Sequence, residues 1–289
     1  MFKSDREGYL DIQGYKIFFK TFGKATKGNV LCVHGGPINH KYMLPLSDLA
    51  KHGYSVIFYD QLGSGESEVP KKKSCYTAEY FIDEIDMVRL KLELGRVHLI
   101  GSSWGGLLAL GYALKHQDKL LSLTTMGGVA NVEKTFAELR RLRRKMPHAD
   151  KQLKKYEETG DYDNPGYLKA YNEFCRQTLC RLPSYPPELS EGARGFQESY
   201  RTLWGPDEFD ILGNMRYWDV SEKLSKIHVP TLISCGRFDM VTPRITRDIA
   251  KRIHNAKLVI FQKSAHLPMW EERKLCMKVL LNFIDSSGS

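Results

Sequence analysis

Val97-His98-Leu99-Ile100-Gly101-Ser102-Ser103-Trp104-Gly105-Gly106-Leu107-Leu108-Ala109-Leu110 is the stretch that decides how this chain folds. An apolar, β-like run enters G-x-S-x-G and leaves as a helix-forming run. A strand that turns directly into a helix needs a sharp bend, which strains the backbone of the central residue and lifts its side chain above the sheet. Side chains two positions to either side would collide, so glycine is needed there, and Gly101 and Gly105 supply it. Ser103 is therefore read as a nucleophile presented at the bend. Ser102 fails the same test, because Ile100 and Trp104 flank it. As bare letters G-x-S-x-G is common in loops; the strand before it and the helix after it give it weight.

Working outward, the pattern alternates between β and α. Gly8–Ile12 and Tyr15–Phe22 suggest an antiparallel start, and Val30–Val33 a short buried strand running into His34-Gly35-Gly36-Pro37. A helix is expected over Leu44–His52, a strand over Tyr54–Tyr59, and a long helix capped by Thr77 and stopped near Gly95. After Arg96–Gly101 and the Trp104–His116 helix comes strand Leu120–Thr125. The alternation returns with strand Thr231–Cys235, helix Arg244–His254, strand Lys257–Phe261 and a final helix from about Glu271 to Phe283. This order implies an α/β fold with a mostly parallel central sheet flanked by helices. Between Asn131 and Trp218 only amphipathic helices are expected, broken at Pro147, Gly160, Pro165, Pro183 and Pro186-Pro187. The expected division is a core of residues 1–130 and 219–289 with an inserted helical cap of residues 131–218.

Composition narrows the classes. The chain has 289 residues, 42% hydrophobic, enough for a large core. Mean hydropathy is −0.40 and no apolar run approaches the ~20 residues of a membrane span. The N-terminal segment carries Lys3, Asp5, Arg6 and Glu7 rather than an apolar signal region, so no export signal is expected, and six cysteines without metal-ligand spacing fit a reducing cytoplasm. The net charge of +9 raises the question of nucleic acid. The densest basic stretch, Arg140, Arg141, Arg143, Arg144 and Lys145, interleaves with Phe136, Leu139, Leu142 and Met146 at helical spacing. It is read as the solvated face of a helix, with a phosphate-binding stripe as the lesser reading. Neither nucleic acid nor membrane is expected as a partner.

A serine hydroxyl needs a base. His266, in Ser264-Ala265-His266-Leu267-Pro268, follows the last strand at the end where ligand chemistry collects, whereas His254 ends a helix and His228 lies in a linker. Asp239 follows strand Thr231–Cys235 and can hold the imidazole tautomer; taken alone it would equally suit a turn or cap ahead of Pro243. Asp60 precedes the nucleophile and is assigned to the Gln61–Ser67 turn. The oxyanion hole is expected from the N–H groups of Trp104 and Gly36, with His34 structural in that loop.

These residues resemble a known family. His34-Gly35-Gly36-Pro37, Tyr59-Asp60-Gln61-Leu62-Gly63-Ser64-Gly65-Glu66-Ser67, Gly101-Ser102-Ser103-Trp104-Gly105-Gly106 and the Asp239 and His266 segments are similar to those of the proline iminopeptidases, nearest to the archaeal branch that interacts with the tricorn protease. The resemblance spans almost the whole chain. It implies the α/β-hydrolase fold and a serine aminopeptidase that releases an N-terminal residue, best proline, from short peptides through an acyl-enzyme. It also implies a cap carboxylate for the substrate's ammonium, at Glu208 in Trp204-Gly205-Pro206-Asp207-Glu208-Phe209. The sequence departs from the family beside Asp239, where a second glutamate is frequent and Met240 stands instead. Methionine accepts hydrogen bonds too weakly to replace it. Glu208 alone, help from Asp207, or an esterase or amidase acting on uncharged acyl groups are the alternatives this leaves. A non-catalytic binding protein using the basic cap face is the reading from another class. No metal or organic cofactor is implied, and a monomer is expected. Tyr167, Tyr171 and Phe174 read as cap core, and Trp104 as a pocket wall.

Overall fold

A computed structural model describes residues 2–36, 39–190, 198–207, 209 and 211–287. Its centre is an eight-stranded sheet: β1 (Arg6–Ile12), β2 (Tyr15–Phe22), β3 (Gly28–Val33), β4 (Tyr54–Tyr59), β5 (Val97–Ser102), β6 (Leu120–Met126), β7 (Thr231–Gly236) and β8 (Lys257–Phe261), in the spatial order β1-β2-β4-β3-β5-β6-β7-β8. β1 and β2 pair antiparallel, as do β2 and β4, and from β4 to β8 every pairing is parallel. β5 lies in the middle and all six of its residues are buried, as a strand covered on both faces must be.

Alternate residues of the strands feed two cores. Leu31, Val33, Ile57, Tyr59 and Leu99 face the layer that contains α1 (Ala78–Lys91) and α2 (Trp104–His116). Val30, Cys32, Val56, Phe58 and Ile100 face the opposite layer, a period of two dictated by the pleat. Thr77 caps α1 by accepting the Tyr80 N–H, as expected, and Gly95 takes a left-handed φ of 65° beyond its end. The segment expected as helix Leu44–His52 is instead a 3₁₀ run over His40–His52. Pro45 lies inside it and has no N–H for an i→i−4 bond, which favours the tighter winding.

Between β6 and β7 the chain forms α3 (Val132–Arg143), α4 (Pro147–Glu157), α5 (Pro165–Thr178), α6 (Pro187–Ser190) and α7 (Glu198–Leu203). Each of α4, α5 and α6 begins at a proline, where the missing N–H costs nothing. The chain leaves and returns through a narrow neck: Val132 N–H donates to Trp218 O at 3.0 Å, Val220 N–H to Ala130 O at 2.9 Å, and Asn131 Nδ2 to Asp219 Oδ2 at 2.6 Å. α8 (Pro243–Arg252), α9 (Pro268–Glu271) and α10 (Arg273–Asp285) complete the fold. Among the described residues no helix is long and apolar enough to cross a membrane.

The basic stretch on α3 is not wholly solvated. Arg140, Arg141, Arg144 and Lys145 are exposed, but Arg143 is buried. Its Nε donates to Asp150 at 2.7 Å, its guanidinium pairs with Glu157, and its Cζ lies 4.6 Å from the centre of the Phe209 ring. Two carboxylates and an aromatic face compensate a charge that burial would otherwise make costly.

Candidate active site

Ser103 joins β5 to α2 with φ 55° and ψ −119°, a conformation a residue with a side chain keeps only when its surroundings enforce it. The enforcement is visible. A Cβ on Gly101 would stand 2.2 Å from Gly105 O, and one on Gly105 would stand 2.0 Å from Val33 O. Both glycines are therefore fixed by backbone that has nowhere to go. The bend is pinned by Ser103 N–H donating to Met126 O at 2.8 Å, and by Ser103 O accepting from Gly106 and Leu107.

Asp239 and His266 meet beside Gly127. His266 Nδ1 and Asp239 Oδ1 are 2.6 Å apart, and both side chains are buried. The same Oδ1 accepts the Val241 N–H at 2.7 Å, which orients the carboxylate toward the ring. Gly127, next to the residue that anchors Ser103, lies against that ring: a Cβ there would be 2.5 Å from His266 Cε1 and 2.7 Å from Nδ1. Ser103 and the imidazole thus address the same two-residue corner, Met126-Gly127.

The loop carrying His266 is held from every side. Ala265 and Leu267 donate their N–H groups to Glu271 Oε2 at 3.0 and 3.3 Å, and His266 N–H donates to Leu179 O at 3.0 Å. Glu272 takes the Lys263 N–H and the Ser264 hydroxyl. Burial raises the Glu271 pKa against the pull of the backbone donors of Arg181, Ala265 and Leu267. The end of α5 reaches both loops, because Thr178 O accepts the Met240 N–H at 3.1 Å just as Leu179 O accepts that of His266.

The His34-Gly35-Gly36 loop closes over Ser103 from the other direction. A Cβ on Gly35 would be 2.9 Å from Ser103 Cβ, and the Gly35 N–H is already given to Tyr42 Oη at 2.6 Å. Neither the Gly36 N–H nor the Trp104 N–H donates to another described residue; the latter opens α2, where the first amides have no partner within the helix. His34 is structural, as expected. Its Nε2 accepts the Gln61 N–H at 3.0 Å, its Nδ1 faces Gly35 O at 2.6 Å, and burial lowers its pKa, keeping it neutral. Gln61 Nε2 returns a bond to His34 O, and its Oε1 accepts the Trp104 indole N–H at 2.8 Å. Asp60 does organise the turn that follows: its carboxylate accepts from His40 and from Glu66 N–H, and its carbonyl from the Ser67 hydroxyl. Burial opposes its ionisation, but the His40 hydrogen bond and charge hold its pKa low.

Trp104, Gly36 and Gln61 line a cavity of about 20 Å³ that Tyr200, Leu203 and Trp204 cover from the inserted helices. Trp204 meets the Trp104 ring edge-on at 5.5 Å and stacks on Phe136 at 5.7 Å. Tyr167 and Phe174 are fully buried in the insertion, and Tyr171 packs beside them against Phe209. Glu208 lies outside the described residues. Asp207 is buried and occupied, accepting the Tyr167 hydroxyl and the Phe209 N–H, so it is not an open receptor for an ammonium group. Met240 is buried as well. The sequence assigns no role at the site to Gln61, Gly127 or Glu271. Of these only Gly127 had a signal, the glycine pair closing β6.

The family model for the alpha/beta hydrolase fold matches residues 28–273, and the chain belongs to that class. The proline iminopeptidase of Thermoplasma volcanium is 41% identical over 288 residues, 97% of each chain, and that of Saccharolobus solfataricus is 41% identical over 286 residues, 96% of this chain and 92% of the other. At that identity over nearly full length, the chain is a member of the proline iminopeptidase family. Among solved structures, VinJ is similar at a TM-score of 0.94 and 28% identity, covering 98% of this chain and 99% of its own. The Mycobacterium smegmatis proline iminopeptidase follows with a TM-score of 0.89 and 25% identity over the same shares. An esterase from Exiguobacterium antarcticum, at 23% identity and a TM-score of 0.71, shares the fold.

Proposed function

We propose that this chain is a serine aminopeptidase that releases an N-terminal residue, preferably proline, from short peptides. His266 takes the Ser103 proton, Ser103 attacks the carbonyl of the N-terminal residue, and Asp239 holds the imidazole with Nδ1 protonated. The N–H groups of Gly36 and Trp104 receive the oxyanion, His266 then protonates the leaving amine, and water releases the acyl group. The single observation that carries this is the strained bend at Ser103 beside the 2.6 Å contact between His266 and Asp239. Nucleophile, base and orienting acid are the three parts acyl transfer needs.

Residues 131–218 act as a cap over the site, and Glu208 is the carboxylate for the substrate's ammonium. The cavity beside Trp104, at about 20 Å³, has room for about one water molecule. A prolyl ring therefore enters as Tyr200 and Trp204 move apart, and long folded chains are excluded.

The test is a panel of prolyl and alanyl arylamides, each free and N-acetylated, on wild type, Ser103→Ala and Glu208→Gln. The free substrates are expected to turn over faster than their blocked twins, the preference to shrink in Glu208→Gln, and all activity to vanish in Ser103→Ala. Equal rates on free and blocked substrates would instead identify an esterase or amidase of the same fold, the reading Met240 raises.

A further inference from the structure

A second cleft, larger than the cavity beside Trp104, lies elsewhere on the molecule. It runs between α3 and α8, has a volume of about 730 Å³, and shares no lining residue with that cavity. Lys134 and Arg141 reach it from α3, Arg144 from just beyond that helix, and Arg244, Arg247 and Lys251 from α8. All six are exposed. Only two carboxylates share the cleft, Glu138 and Asp248, so it holds an excess of four positive charges.

Both carboxylates are already engaged. Glu138 is buried under a two-point bond from Arg141 at 2.7 and 2.8 Å, takes the Thr242 hydroxyl at 3.2 Å, and has Arg244 at 3.5 Å. Asp248 pairs with Arg252 at 3.3 Å. Lys134, Arg144, Arg247 and Lys251 have no carboxylate at ion-pair distance among the described residues. Cations facing one another across a cleft, within about a Debye length of ~10 Å, repel unless an anion lies between them.

We propose that this cleft seats an acidic segment of a partner polypeptide. Arginine forks match carboxylates in two-point geometry, and four of the six cations are arginines. The apolar part of the lining is Ala137 and Ile245, with no aromatic ring. Single-stranded nucleic acid, which needs rings for its bases to stack on, finds no platform there. Nor does the segment belong to a peptide held at Ser103. Phe136, buried on α3, packs on Trp204, and no residue lines both spaces. The occupant bridges α3 to α8 from outside.

The probe is a fluorescent N-acetylated hexaglutamate amide, titrated into the full chain by anisotropy. Binding is expected to weaken several-fold between about 20 and about 150 mM salt, as screening of exposed charges requires. The Arg144→Glu/Arg247→Glu double variant is expected to bind about tenfold or more weakly while hydrolysing a prolyl arylamide at the wild-type rate. Lys71→Glu/Lys72→Glu, an equal charge change at exposed lysines elsewhere, is expected to bind like wild type. No binding, equal loss in both double variants, or tighter binding of an oligouridylate than of hexaglutamate would overturn the proposal. Because arylamide turnover is read separately, loss of the peptidase reading and loss of this one are distinct results.

Discussion

The Cα of Gly127 lies so close to the imidazole of His266 that a single methyl group there would stand 2.5 Å from Cε1 and 2.7 Å from Nδ1. Gly127 also has φ 59°, a left-handed conformation that a side chain resists. Gly127→Ala is expected to push the ring off Asp239 and lower kcat for a prolyl arylamide about a hundredfold. It should cost about 1–2 kcal/mol of stability from the backbone alone. Steady-state kinetics beside a denaturant melt separates the two effects; a stable variant with unchanged kcat would show that the ring has room to spare.

Glu271 holds three N–H groups at once, those of Ala265, Leu267 and Arg181. Glu271→Ala is expected to release the loop on both sides of His266, lowering kcat by about ten- to a hundredfold and leaving KM nearly unchanged. Glu271→Gln keeps one acceptor oxygen, enough for the Ala265 and Leu267 N–H groups but not for that of Arg181 as well, and should recover part of the loss. A removed hydrogen-bond acceptor leaves its donors unsatisfied, each at about 1–3 kcal/mol. If both variants behave like wild type, the loop is fixed by Leu179 and Glu272 alone.

Asp239→Asn probes the tautomer. Oδ1 serves both His266 Nδ1 and the Val241 N–H. An amide oxygen in that place keeps the contact without the charge that stabilises the imidazolium. An NH₂ in that place opposes the Val241 N–H and drives the imidazole proton to the other nitrogen. That nitrogen can then no longer take a proton from Ser103. A fall in kcat of about 10⁴-fold with little change in melting temperature is expected. A variant retaining a tenth of wild-type activity would contradict the assigned role.

Much of this was legible because backbone geometry leaves sequence few choices. Gly101 and Gly105 are required by carbonyls 2.0–2.2 Å from their missing side chains, and a strand run into a helix announces the bend. Asp60, His34 and the stripe of Tyr167 and Phe174 were readable for similar reasons: each satisfies local polar or apolar demand. What escaped depends on contacts between distant segments. Arg143 looks like its exposed neighbours until Asp150, Glu157 and Phe209 close on it. Glu271 looks like a helix-end carboxylate until the His266 loop folds back. Pro45 sits inside an apolar helical pattern, and only the winding of His40–His52 reveals that its missing N–H decided the outcome.

Glu84 carries a pH signature. It is fully buried on α1; its Oε2 accepts the Leu62 N–H at 3.1 Å, while Oε1 and the neighbouring Tyr59 and Tyr80 hydroxyls have no hydrogen-bond partner among the described residues. Burial pushes its pKa up to about 8. The unfolded chain gives up that proton near pH 4.3, so between about pH 4.5 and 8 the folded state binds the extra proton and stability falls as pH rises. The loss is on the order of a few kcal/mol. Glu84→Gln, uncharged throughout, is expected to flatten that part of the profile and to gain on wild type toward pH 8. Denaturant melts at pH 5, 6.5 and 8 on both proteins check this, and parallel profiles would refute it.

The central claim is that the bend makes Ser103 a nucleophile activated by His266, and covalent labelling reads that directly. Incubation with a fluorophosphonate followed by intact-mass and peptide mass spectrometry is expected to give one adduct per chain, on Ser103, with labelling slowed severely in His266→Ala and absent in Ser103→Ala. Wild-type protein that cleaves a prolyl arylamide while Ser103 stays unmodified, or that takes the label at another residue, would contradict the account.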